Sequence, residues 1–134
     1  MDADAVLSIT TQQFRDAGFK TELRHGDLGD PIAAVLALSD EFSNRVDLLV
    51  GLRGLENEAF QRAIEVAFQG GRLRVACIED FIAMKLFAGG PQDLADARYA
   101  LAAGKDTVDQ ELLWRLTVRY GRDAMTALQK LLNP

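Results

Sequence analysis

The chain changes its pattern near residue 78. Before that point short apolar runs are bounded by glycine, proline and polar residues, and after it helix-length segments are separated by single or paired glycines. IAAVLAL and RVDLLVGL are too short for ordinary helices and read as central strands, joined by the polar connection DEFSNR. FKTELR alternates apolar and polar residues as a half-buried strand does, and RLRVACI reads as a fourth strand. Two helices are predicted among these strands. Val6, Ile9, Phe14 and Ala17 recur at roughly helical spacing up to Gly18, and Ala59, Phe60, Ile64 and Phe68 share one face of a helix over Glu56–Phe68, stopped by Gly70 and Gly71. Beyond the fourth strand, helices are predicted over Glu79–Ala88, Gln92–Ala103, roughly Thr107–Tyr120, and Arg122–Leu132. Gly89, Gly90, Pro91, Gly104 and Gly121 break them, and Asp106 or Thr107 offers a cap to the third. Strands first and helices last indicate an α+β fold. At 134 residues the chain reads as one domain, with a sheet-containing core over about 1–78 and a helical part over about 79–134.

Charge and composition exclude several function classes. The formal charge is −5 and the arginines are scattered among acids, so nothing gathers phosphate backbones and nonspecific nucleic-acid binding is not expected. No apolar run approaches the ~18 residues of a membrane span, and MDADAVLS lacks the basic start of a secretory signal; a cytoplasmic protein with no membrane partner is expected. Cys77 is the only cysteine and sits in the apolar run RVACI, which predicts a buried, unreactive thiol. His25 has no second histidine or cysteine with which to build a metal site or a triad and is expected in a surface loop. Trp114 and Tyr120 belong to an apolar helix and are expected in the core.

The chemistry-bearing residues cluster in EDFIAMKLFAGGPQDLAD, residues 79–96, and in VDLLVG, residues 46–51. Lys85 lies one helical turn from Phe81 and Ile82, where its stem covers apolar surface. Asp93 and Asp96 are neighbours on one helical face, Asp93 in the first turn where the helix dipole favours an anion, and both are placed to hold Lys85 across the Gly89–Pro91 turn. Asp47 interrupts an apolar strand. Alternation allows it to point to a solvated face while Val46 and Leu48 face the core; buried, it would require a cation or several donors.

These two segments resemble the nucleotidyltransferase-like superfamily, in particular its small uncharacterised and toxin-type members. The resemblance covers about Ala5 to Leu101 and implies a mixed β-sheet flanked by helices, with a C-terminal helical tail. It implies catalytic roles for Asp47 and Lys85, with Lys85 on the phosphates of a nucleoside triphosphate and Asp47 as third carboxylate of a magnesium site. The other two metal ligands would be Asp2 and Asp4, the one Asp-x-Asp pair of this kind, which on a strand would face the same way. Asp93 and Asp96 would be structural support. The family's glycine-rich phosphate loop precedes that pair, whereas here the sequence opens with MDADAVL, and Gly90 stands where an arginine is common. The expectation is therefore a degenerate or truncated relative of magnesium-dependent enzymes that transfer a nucleoside monophosphate. The alternative is a noncatalytic binding or regulatory module that uses an exposed sheet edge to bind a protein partner or to form a homodimer.

Overall fold

A computed structural model of the chain describes residues 2–134. The fold is α+β with helices at its C-terminal end, as the sequence pattern predicts. The strands form two antiparallel sheets, of three and of two strands, where one mixed sheet was expected. The chain divides into two compact units at Arg53 and Gly54, so the sheet-to-helix change expected near residue 78 falls inside the second unit.

The first unit runs α1 (Ala3–Asp16), β1 (Lys20–His25), β2 (Ile32–Ser39) and β3 (Arg45–Leu52), with sheet order β1-β2-β3. Asp2 caps α1, its carboxylate accepting from the Ala5 amide at 2.7 Å. Leu7 and Thr11 form the buried side of α1, whereas Val6 and Ile9 are exposed, so the apolar spacing read from the sequence picks the wrong stripe. Register sets the two faces of the sheet. Leu36 pairs with Leu23 on β1 and Leu48 on β3, and Ala34, Leu36 and Leu38 are buried on that face. Glu22, Ala37 and Asp47 pair across the opposite face, together with Arg24, Val35 and Leu49. The polar β2–β3 connection is built on Asp40, whose Oδ1 accepts the amides of Phe42 and Asn44, both at 2.9 Å.

The second unit runs α2 (Glu58–Arg62), β4 (Ile64–Phe68), β5 (Gly71–Val75), α3 (Ile78–Ala88), α4 (Pro91–Ala103), α5 (Gln110–Val118) and α6 (Arg122–Leu132). Its core is α3 packed by the three helices that follow: Ile82, Ala83 and Leu86 meet Ala97, Leu113, Leu116, Ala124 and Leu128. Gly104 lets the end of α4 approach α3, because a Cβ there would strike Ile78. Asp109, not Asp106 or Thr107, caps α5, accepting from the Leu112 amide at 3.0 Å. Buried Tyr120 stacks against Phe87 at 5.0 Å, while Trp114 is only half-buried.

The helix expected over Glu56–Phe68 stops at Arg62, and Ile64–Phe68 instead pairs with Gly71–Val75. Ile64 and Phe68 satisfy a helical and an alternating period alike. Val66 decides for the strand, because it completes the series Ile64, Val66, Phe68 against Glu65 and Ala67. The turn at Gln69–Gly70 places both residues at positive φ, 46° and 78°, as a two-residue hairpin turn of the primed type requires. Glutamine is a poor occupant of that conformation and asparagine a good one. Gln69→Asn is expected to stabilise the chain by about 0.5 kcal/mol, read as a higher midpoint in urea at unchanged slope.

Candidate functional site

Lys85 stands in the last turn of α3, and the Gly89–Pro91 turn folds α4 back beside it. Gly89, at φ 72°, ends α3 in the left-handed conformation, and Pro91 opens α4 at its first position. Asp93 Oδ2 then accepts the Gly90 amide at 3.2 Å while its Oδ1 meets Lys85 Nζ at 3.3 Å. Asp96 Oδ2 meets Lys85 Nζ at 3.0 Å, and its Oδ1 accepts from Gln92 at 2.8 Å. The ammonium also lies 5.6 Å from the centre of the Phe81 ring, at the outer reach of a cation–π contact. The hydrogen bond to Asp96 leads the interactions that raise the Lys85 pKa above its ordinary value, with Asp93 adding to it against partial burial. The Asp96 carboxyl is lowered, first by Gln92 and then by Lys85. Lys85 is thus a half-buried cation, 29 % exposed, held between the two carboxylates that the sequence places as its support.

A second and more deeply buried cluster was not singled out from the sequence. Arg62, the last residue of α2, binds Asp80 of α3 in bidentate fashion, both contacts at 2.8 Å, and reaches Glu56 at 2.6 Å. Arg115 on α5 holds the same glutamate through two contacts of 2.9 and 3.0 Å, and Arg119 lies 3.8 Å from it. The Cys77 thiol donates to Asp80 at 3.0 Å. Asp80 is 2 % exposed and Glu56 9 %. Arg115 and Arg62 hold the Glu56 carboxyl down to about 2. Burial alone would push the Asp80 carboxyl up, but Arg62 and Cys77 outweigh it and the net shift is downward. Burial also pushes the Cys77 thiol up, in agreement with the inert buried cysteine expected, and it pushes Tyr120 up to about 12. Glu79, also buried, accepts the Asp109 amide at 3.4 Å and ties the start of α5 to α3. The Glu56 and Asp80 carboxylates and the Arg62 and Arg115 guanidinium groups are matched to one another, which suits a structural brace.

The proposed metal ligands fall in the first unit, and they do not converge. Asp2 is committed to capping α1, and Asp4 lies in the first turn of that helix, so the pair is not carried on a strand and does not face one way. Asp4 lines a polar cleft of about 510 Å³ together with Ser8, Arg15, Leu23 and His25, on the face of the sheet that carries Leu23. His25 is the last residue of β1 and exposed, where a loop position was expected. Asp47 is on the other face of the sheet, exposed, with Arg45 at 3.0 Å and the Arg24–Glu22 pair on the same surface. The solvated-face reading of Asp47 is the one that the register supports. Among the described residues no group of three His, Cys, Asp or Glu side chains is placed to share a metal ion. Asp2, Asp4 and Asp47 therefore do not fit the magnesium site that the resemblance implies. Among the described residues no helix is long and apolar enough to cross a membrane.

Among family models none matches the chain, and no curated protein matches it.

The two clusters differ in burial, and so in what their loss costs. Arg62→Ala leaves two buried carboxylates without their shared cation and is expected to destabilise by about 3–5 kcal/mol, against about 1 kcal/mol for Lys85→Ala, measured by urea unfolding. The pH dependence has a definite sign. Glu56 is depressed from 4.5 to about 2, so its contribution is fully present above pH 4.5 and is lost as the pH falls toward 2. Asp80, also depressed, acts in the same direction. Thermal melts between pH 7 and pH 2.5 are expected to show a steep loss of stability in the acid range, and a shallower one in a Glu56→Gln variant.

Proposed function

We propose that the chain is a nucleotidyltransferase-like domain acting as a noncatalytic binding module, with Lys85, Asp93 and Asp96 retained as a clamp between α3 and α4. The observation that carries this reading is the double engagement of the Lys85 ammonium, 3.0 Å from Asp96 and 3.3 Å from Asp93, in a segment where the resemblance would have it meet phosphates. Asp93 supports the same reading by also capping α4, a task set by the helix and not by a substrate. The separation of Asp4 from Asp47 by the sheet argues against these residues holding magnesium and a triphosphate together. A cytoplasmic location belongs to the proposal too, since a reducing compartment suits a single buried thiol.

A degenerate enzyme that keeps nucleotide affinity is the competing reading, and the residual exposure of Lys85 favours it. Calorimetric titration with ATP, GTP, CTP and UTP, each with magnesium, separates the two. No heat of binding at millimolar nucleotide is the expected result. Saturable binding that is abolished by Lys85→Ala, in a variant that still melts cooperatively, would overturn the module reading.

A further inference from the structure

Among the described residues the β4–β5 hairpin is a two-stranded sheet in which neither strand pairs with a third, and one of its faces is apolar. Ile64, Val66, Phe68, Leu73 and Val75 share that face, and each is between 38 and 54 % exposed. Two strands alone are marginal in water, and a hydrophobic face becomes stable when further strands extend it. The hairpin therefore has a use for more strands, and its sequence indicates which edge accepts them.

The two-residue turn makes Phe68 and Gly71 the hydrogen-bonded pair that closes the hairpin. Alternation then turns the amides and carbonyls of Ile64, Val66 and Phe68 toward β5 and those of Glu65 and Ala67 outward. Glu65 and Ala67 make no further backbone hydrogen bond among the described residues. This edge lacks a proline, a lysine and a bulge, and Glu65 is its single charge. The β5 edge differs, because Arg72 and Arg74 alternate along it.

We propose that β4 pairs with β4 of a second copy of this chain, antiparallel about a two-fold axis through Val66, to give a four-stranded sheet in the order β5-β4-β4-β5. The charges choose this arrangement. About Val66, Glu65 lies opposite Ala67 of the second copy and Ile64 opposite Phe68, a β-branched residue against an aromatic one. Each Glu65 keeps Arg72 at 3.5 Å and Arg74 as its cross-strand neighbour within its own hairpin. The alternative pairing of two β5 strands about Leu73 would set Arg72 opposite Arg74 of the second copy, like charges that oppose association. Self-pairing deepens the module reading by naming its partner. It rests on that reading only in part, because nucleotide titration and self-association are measured separately and either can fail alone.

Sedimentation of the full chain is expected to show a reversible dimer at tens of micromolar, the affinity suited to an interface at the small end of the specific range. Ala67→Glu is the discriminating variant. It adds a partner for Arg72 across the hairpin but meets Glu65 of the second copy, so it is expected to keep the melting temperature and weaken the dimer by about tenfold or more. Ala67→Pro, which removes only an outward amide, is expected to do the same. Val66 residues meeting at the axis form a non-hydrogen-bonded pair about 4.5 Å apart, within disulfide reach. Val66→Cys in a Cys77→Ser background is accordingly expected to cross-link two chains under mild oxidation, and Leu73→Cys is not. A monomer throughout that concentration range, a dimer indifferent to Ala67→Glu, or equal cross-linking through positions 66 and 73 would each overturn the proposal.

Discussion

The second unit depends on one guanidinium. Arg62 takes both oxygens of Asp80 and one of Glu56, and in doing so joins the end of α2, the first turn of α3 and, through Arg115, the middle of α5. Residues 62 and 80 also bracket the β4–β5 hairpin, so the ion pair closes the hairpin at its base. A buried arrangement of this kind is weak as a source of net stability, since desolvation consumes most of the attraction, but it is strict about geometry. Asp80 illustrates the balance. Burial raises its pKa, and only the bidentate contact with the donated thiol turns the shift downward. A hydrophobic replacement could fill the space without telling α2 where to end.

The same reasoning, with less burial, decides what Lys85 does. An ion pair about one-third exposed is worth about 1 kcal/mol or less, so the grip of Asp93 and Asp96 would not by itself keep a triphosphate away. A second, independent constraint lies in the first unit. Strand register sets Asp47 on the face of the sheet opposite the one that carries Leu23, beside which Asp4 lines its cleft, and changing that would require β3 to slip by one residue, which would expose the half-buried Leu48 and Val50 in exchange for Leu49. Register errors on a sheet with one buried face are costly, so the placement of Asp47 on the charged surface is firmly set.

Much of this was legible locally. Helix ends followed from glycine: α6 spans the predicted residues, α3 and α4 each start one residue early, and the solvated face of Asp47 was one of the two outcomes that alternation allowed. The contact of Asp93 and Asp96 with Lys85 was readable because eight to eleven residues and one tight turn separate the partners. Three things were not legible. The hairpin was hidden by Ile64 and Phe68, whose spacing of four suits a helix face and one side of a strand equally. The Arg62 cluster joins residues 18 and 59 apart in sequence, and no local pattern distinguishes those arginines from solvated ones. Asp2 and Asp4 have the spacing of a strand-borne pair, but the helix that begins at Ala3 turns that spacing into a cap and a first-turn acid.

The hairpin shows how these levels act on one another. Its tip is set by the Gln69–Gly70 turn and its base by Arg62 and Asp80, while the five apolar residues between them remain partly in water. Such a segment sits at the low end of local stability, opening more readily than the helices behind it. Any partner that binds only the closed hairpin must stabilise it by mass action. Because the Arg62 brace fixes the hairpin's base, loosening the brace raises the cost of ordering β4 before it can pair. The buried ion pair and the exposed strand edge are therefore thermodynamically linked, even though the guanidinium's hydrogen-bond partners, Asp80 and Glu56, lie outside β4.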